Sequence, residues 1–231
     1  MSHDPAIPAD FKGTARLFPL PNLVLFPHLV QPLHVFEPRY RQLMADALED
    51  DRLMALALLR PGWEEDYDKS PPIYPAVCLG RITQEERLPD GRYNLLLQGL
   101  ARARVVEEIP TPKLYRTARV ELLPDAPVGS PHREKELARR LAECGLDFFA
   151  GRPSAREQLR RLVEGGAPLG MLTDVFAFAL PLAPEAKQEL LGEPDVARRV
   201  DLLLEGLAGL GPAPAPASPP GRKFPPDFSA N

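Results

Sequence analysis

Few side chains in this sequence have the spacing that chemistry requires. His28 and His34 stand at an even separation with Glu37 close behind, so an extended backbone would place both imidazoles on one face as possible metal ligands. Metal sites generally present tighter sets with more ligands, and the expectation is that no metal is held. His34 reads more simply as a strand residue beside Phe36, and Glu37, directly before Pro38, as a helix-start residue or an ion-pair partner of Arg39 or Arg41. Ser70, Ser130 and Ser154 occupy loop or cap contexts with no matched base, so no hydrolytic nucleophile is assembled. The chain contains no Gly-Lys dipeptide, which excludes the phosphate-cradling loop Gly-x-x-x-x-Gly-Lys-[Ser/Thr]. Cys78 and Cys144 fit neither a metal-ligand spacing nor a disulfide framework and read as small buried hydrophobes. The expected class is non-catalytic, with no catalytic residue and no cofactor.

Two sets of residues could bind instead of react. Phe18, Leu25, Phe26 and Pro27 lie in a proline-stiffened apolar stretch, and Trp63 and Tyr67 lie in a long acidic loop. Aromatic and aliphatic side chains on rigid loops grip an extended polypeptide without sequence-specific chemistry, and an edge strand can accept one through its backbone. The alternative set is Arg92, Arg102, Arg104, Arg116 and Arg119, which fall on neighbouring predicted strands and could form a cationic strip for RNA phosphates. That strip has no stacking aromatics beside it, and Glu107, Glu108 and Glu121 interleave with it. A formal net charge of −4 supplies no long-range field for nucleic acid or anionic lipid. Polypeptide is the expected ligand.

The elements that must position these residues divide the chain in two. Ala15 to Leu20 and Val30 to Phe36 read as short strands whose prolines confine them to edges, bulges or ends. Pro38 opens a helix with Tyr40, Leu43, Met44, Ala47 and Leu48 on one face. Glu49, Asp50 and Asp51 oppose the dipole at its C-terminus, which predicts fraying or a cationic partner from elsewhere. Arg52 to Arg60 reads as a buried strand, Pro61 to Pro72 as a loop and Tyr74 to Leu88 as a strand. Pro89-Asp90-Gly91-Arg92 is then a hairpin turn, in which proline presets φ and glycine accepts a positive one. Tyr93 to Gln98 follows, Gly99 marks a bend or bulge, Ala101 to Val105 continues, and Leu114, Ala118, Val120 and Leu122 fit a last strand. The class is α+β, a mostly antiparallel β pseudobarrel with one inserted helix.

From Ser130 the period becomes helical. Ser130-Pro131 gives an N-cap with proline at the first helical position, and Ser154 to Glu157 has capping-box spacing. Segments carrying Leu169 to Leu180, Pro184 to Leu191 and Pro194 to Leu210 complete a C-terminal helical bundle. The expected divisions are a flexible N-terminus at 1–14, the barrel at 15–125, the helical subdomain at 126–210 and a disordered Pro/Ala-rich tail at 211–231. An apolar content of 44% is ample for a core, and no targeting or membrane-spanning segment is read, which places the expected location in the cytoplasm.

Four motifs, in order, carry a resemblance. Phe18-Pro-Leu-Pro-Asn-Leu-Val-Leu-Phe-Pro27, Pro32-Leu-His-Val-Phe-Glu-Pro-Arg-Tyr-Arg41, Leu88-Pro-Asp-Gly-Arg92 and Gln98-Gly-Leu-Ala-Arg-Ala-Arg-Val105 resemble the N-terminal substrate-binding domain of Lon proteases, a module also seen as standalone bacterial proteins. Lys187 to Leu191 and Arg198 to Leu204 resemble its closing helices, so the likeness runs from about Ala15 to Leu210. It implies a PUA-like pseudobarrel followed by helices. It also implies capture of unfolded or tagged polypeptide, as an adaptor or a decoy, with a proteolysis or chaperone component as partner.

Overall fold

The computed structural model describes residues 7–67 and 69–210. The predicted tail at 211–231 and the first six residues lie outside that range. Among the described residues two compact units emerge, one of residues 7–124 with 183–192 and one of residues 125–182 with 193–210.

The first unit is built on six strands: β1 (Thr14–Leu20), β2 (Val30–Val35), β3 (Leu53–Leu59), β4 (Ile73–Arg87), β5 (Tyr93–Ile109) and β6 (Thr117–Leu122). Their order is β2-β5-β4-β3-β1-β6, and an additional β5–β6 pairing closes the ring. The 17-residue β5 makes this possible, because its first half pairs with β2 and its second with β6, while β4 runs along both. Every pairing is antiparallel except β1 with β3. A parallel pair needs a crossover, and it is supplied by β2 and helix α1 (Pro38–Glu49).

A ring of five strands has a narrow interior, and the side chains that fill it are correspondingly small. Ala15, Leu17, Ala55, Ala57, Val77, Leu79, Ala103, Ala118 and Val120 form the inner cluster. The opposite row, Phe18 to Leu56 to Cys78 to Arg102 in register, is also buried, so the outer face of the ring is covered there. All seven residues of β3 are buried as a result. Its leucines each contribute about 1.5–3 kcal/mol of apolar transfer.

Helix α1 starts with Pro38 at its first turn and buries Tyr40, Leu43, Met44 and Ala47, with the Phe18 and Tyr40 rings meeting edge to face at 4.4 Å. Its acidic end has the partner that the dipole argument demands: Arg16 on β1 reaches Asp50 at 2.5 Å and Asp51 at 2.6 Å. Gly91, at φ +81°, closes the β4–β5 hairpin, with its amide donating to the Leu88 carbonyl. The predicted irregularity at Gly99 is a bulge, since Leu79 opposes Ala101 and Gly80 opposes Gly99, leaving Leu100 extra. Leu114 departs from the expected last strand, which begins only at Thr117.

Short helix α5 (Pro184–Gly192) belongs to this first unit despite its place in the sequence. Gln188 Nε2 donates to the Ala76 carbonyl on β4 at 2.6 Å, and the Gly192 Cα lies where an added Cβ would touch Ala76.

The second unit contains α2 (Pro131–Phe148), α3 (Pro153–Glu164), α4 (Leu169–Ala179) and α6 (Val196–Ala208). Ser130 caps α2 by accepting from the Arg133 amide. In α3, Arg152 occupies the cap position and Pro153 the first turn, so Ser154 lies inside the helix and the expected capping box is absent. Leu137, Leu141, Leu172, Phe176, Val200 and Leu203 form the interior. Among them Arg199, 1% exposed, pairs with Asp174 at 2.9 Å and with Asp125 at 2.6 Å. No helix of the described residues is long and apolar enough to cross a membrane.

Candidate functional site

The residues predicted to hold polypeptide fall into two environments. Phe18, Leu25, Phe26 and Pro27 are buried, and Phe26 has no exposed surface. The physical reason is Gly99. The proline-rich segment is stitched to it by His28 N–H to the Gly99 carbonyl at 2.9 Å and Gly99 N–H to the Leu29 carbonyl at 2.8 Å. An added Cβ at Gly99 would sit 2.1 Å from the Phe26 carbonyl oxygen, so only glycine permits this approach. These four side chains are packing residues, not a surface. Trp63 and Tyr67 are half-buried on a short 3-10 turn in the β3–β4 loop, with ring centroids 5.3 Å apart.

Tyr67 is held by the start of α1. Its hydroxyl donates to Glu37 Oε1 at 2.5 Å, Glu37 Oε2 accepts from Arg39 Nε at 3.0 Å, and Arg39 donates to the Tyr67 carbonyl at 3.2 Å. The Arg39 guanidinium stacks over both Tyr67 and Tyr40, 4.6 Å and 4.7 Å from their centroids. Burial raises the Tyr67 phenol above its ordinary value, and the bond to Glu37 adds to the rise. Glu37 thus clamps a loop and pairs with Arg39, and His34 bonds the Asn94 side chain at 2.8 Å and stacks on Phe36.

The β5–β6 loop is bolted to the other end of the same helix. Tyr115 donates to Asp46 Oδ2 at 2.7 Å, Lys113 Nζ meets that carboxylate at 2.8 Å, and the Leu114 amide donates to Gln42 Oε1 at 2.7 Å. Lys113 first, with help from Tyr115, holds Asp46 below its usual range, whereas burial and then the Asp46 bond push Tyr115 up to about 12. Arg116 fastens the loops to each other, donating Nη1 to the Pro71 carbonyl at 2.8 Å and Nε to Glu108 at 2.7 Å.

Between the two loops lies a groove of about 360 Å³. Tyr40, Leu59 and Tyr115 form its buried floor, and Ile109 and Leu114 its lip. Leu114 is 63% exposed although its amide is fixed, a large apolar side chain held out to solvent on a pinned backbone. Of the residues expected from sequence, Tyr67 and, from the arginine set, Arg116 line this groove, and Trp63 packs edge-on against the Tyr67 ring. Arg39, Ile109, Leu114 and Tyr115 were not anticipated. Pro110 and Pro112, just ahead of a lone leucine and tyrosine at Leu114 and Tyr115, were the available signal of a stiff presenting loop.

The five arginines of the RNA alternative do not form a strip. Arg102 is 4% exposed in the covered row beside Cys78, Arg92 pairs with Asp90 at the hairpin, and Arg116 and Arg119 pair with Glu108 and Glu107. Arg104 is exposed but opposes Glu121 across the β5–β6 ladder. An alternating, self-neutralised face replaces the expected cationic one.

The fold has close counterparts. The N-terminal domain of a Mycobacterium avium complex Lon protease superposes with a TM-score of 0.69 at 17% identity, covering 84% of this chain and 98% of that one. A Lon N-terminal domain protein from Xanthomonas campestris gives 0.59 at 24% identity, covering 83% and 97%. In sequence, Lon protease 2 of Myxococcus xanthus is 30% identical over 196 residues, and Lon protease of Anaeromyxobacter dehalogenans 28% over 196. Each alignment takes in 85% of this chain but only 24% and 23% of the relative, so the chain spans about a quarter of their length. The profile of the ATP-dependent protease La (LON) substrate-binding domain matches residues 14–209, and with this match the chain belongs to that family.

Proposed function

We propose that this protein captures unfolded or tagged polypeptide in the groove between its β3–β4 and β5–β6 loops, and that it delivers or withholds such chains as an adaptor in proteolysis. The observation that carries this reading is Leu114, exposed at the lip of a tyrosine- and leucine-floored groove whose walls are both fastened to α1. Preordered apolar surface is what binds chains of varied sequence, because the ordering cost of the receptor is met before the ligand arrives. Membership of the substrate-binding family supports polypeptide as the ligand class. The edge of β2 is a competing surface for the same ligand. Among the described residues that strand pairs with β5 alone, with exposed Val30 at its start and exposed Phe36 just past its end.

Fluorescence anisotropy with a labelled, permanently unfolded casein separates the two surfaces. Leu114→Asp is expected to weaken binding about tenfold or more, as central apolar contacts do, with Val30→Asp having little effect. The opposite pattern transfers the function to the β2 edge. Unchanged binding in both variants rejects the groove and the edge together.

A further inference from the structure

The groove is chemically lopsided. Among the described residues, Arg39, Lys69, Lys113 and Arg116 line it, against Glu108 as the carboxylate. The two arginines are fully engaged in holding the loops, Arg39 on Glu37 and the Tyr67 carbonyl, Arg116 on Glu108 and the Pro71 carbonyl. The two lysines are different. Lys69 reaches Asp66 at 2.8 Å and is 79% exposed, and Lys113 reaches Asp46 at 2.8 Å and is 44% exposed. An ammonium carries three donors, so one carboxylate each leaves both lysines able to take another. Neither Asp66 nor Asp46 lines the groove. One lysine stands on each loop, with the apolar floor of Tyr40, Leu59 and Tyr115 in the same groove.

Resting on the polypeptide reading of this groove, we propose that it selects segments in which an apolar side chain sits beside a carboxylate. The apolar group packs against exposed Leu114 and Ile109 above the floor of Tyr40, Leu59 and Tyr115, and the carboxylate is taken by Lys69 and Lys113. Opposite charge across a partly desolvated contact discriminates among ligands more than it raises overall affinity, so the lysines act as a filter on an otherwise permissive apolar site. The carboxylate has two sources, the α-carboxylate of a chain end or an Asp or Glu side chain, and both present the same planar acceptor.

The test is anisotropy of the full chain with three labelled leucine-rich peptides of one length: C-terminally amidated and neutral, the same with a free C-terminus, and amidated with one internal Glu. The expected result is about tenfold tighter binding of at least one acidic peptide over the neutral one. That advantage falls with added salt and is lost in Lys69→Gln/Lys113→Gln, whose thermal midpoint drops only slightly because exposed ion pairs contribute little. An advantage confined to the free-acid peptide assigns the chain end, and one confined to the Glu peptide assigns the side chain. Equal affinity for all three, or a preference that survives the double lysine variant, overturns the filter; if Leu114→Asp still weakens every peptide, the polypeptide reading stands. If no peptide binds, both readings fall.

Discussion

The two units place their charged groups in opposite ways. In the barrel unit the ion pairs and phenol–carboxylate bonds lie at or near the surface and tie loops to one helix, while the ring interior is apolar. In the helical unit the interior itself holds a charge, Arg199 between Asp174 and Asp125, and the exposed faces carry i,i+3 and i,i+4 pairs such as Arg160 with Glu157 and Glu164. A closed strand ladder satisfies its own backbone and fixes its own register, so polar contacts are left to position a site. Short helices packed through leucines can slide or rotate on one another, and a buried charge with a fixed partner removes that freedom.

Breaking the buried pair is the most damaging way to probe this contrast. Asp174→Ala takes the buried carboxylate away from a buried guanidinium, and a loss of about 3–5 kcal/mol is expected in urea unfolding. Hydrogen exchange should place the lost protection in α4 and α6. Arg199→Met/Asp174→Leu removes both charges and is expected to recover most of that loss; failure to recover would show that the pair holds the unit by more than burial. In the barrel, Gly99→Ala tests whether backbone approach plays the role there that charge plays in the helices. A methyl 2.1 Å from the Phe26 carbonyl forces the proline loop away, at about 1–3 kcal/mol, detected as new exposure of the Phe18-to-Pro27 segment.

The smallest effect belongs to the loop bolts. Tyr115→Phe removes one hydrogen bond to Asp46 and is expected to cost about 1 kcal/mol, with a larger proportional loss of polypeptide binding than of stability. Its pH signature has a definite sign. The folded phenol sits at about 12 against an ordinary value of 10.0, so its contribution is complete below pH 10 and disappears as pH rises from there through about 12. Tyr115→Phe should flatten the alkaline limb of the stability profile in that window. An unchanged limb would mean that Tyr115 is not protected by burial and Asp46.

Local chemistry made much of this structure readable from sequence. The Pro89-to-Arg92 turn, Pro38 at the start of α1, the Ser130 cap and the demand of Glu49-Asp50-Asp51 for a cation each follow from neighbours in the chain. What resisted reading was anything settled by a distant strand. Phe18 and Phe26 look the same in sequence whether they grip a ligand or pack under a loop, and only the register that brings Gly99 beneath them decides it. Arg102 alternates with Ala101 and Ala103 as a solvated residue would, yet pairing with Cys78 places it in a covered row. Leu114 was absorbed into a strand because its spacing to Ala118 fits, whereas the strand waits until Thr117. The alternating period gives the face of a residue but not whether that face is wet.

The parallel pairing of β1 with β3 fixes when the groove can exist. Residues Leu17 and Ala55 meet only after β2 and α1 have been laid between them, and Ala15 must then wait for Ala118 on β6. Such long-range contacts form late, because the entropy of closing the intervening chain is lost before they return anything. Since one wall of the groove hangs from the β5–β6 loop, a chain emerging from the ribosome has no groove until its barrel is closed. The groove is therefore a mark of a closed barrel, present only in chains whose strands from β1 to β6 have all reached their places.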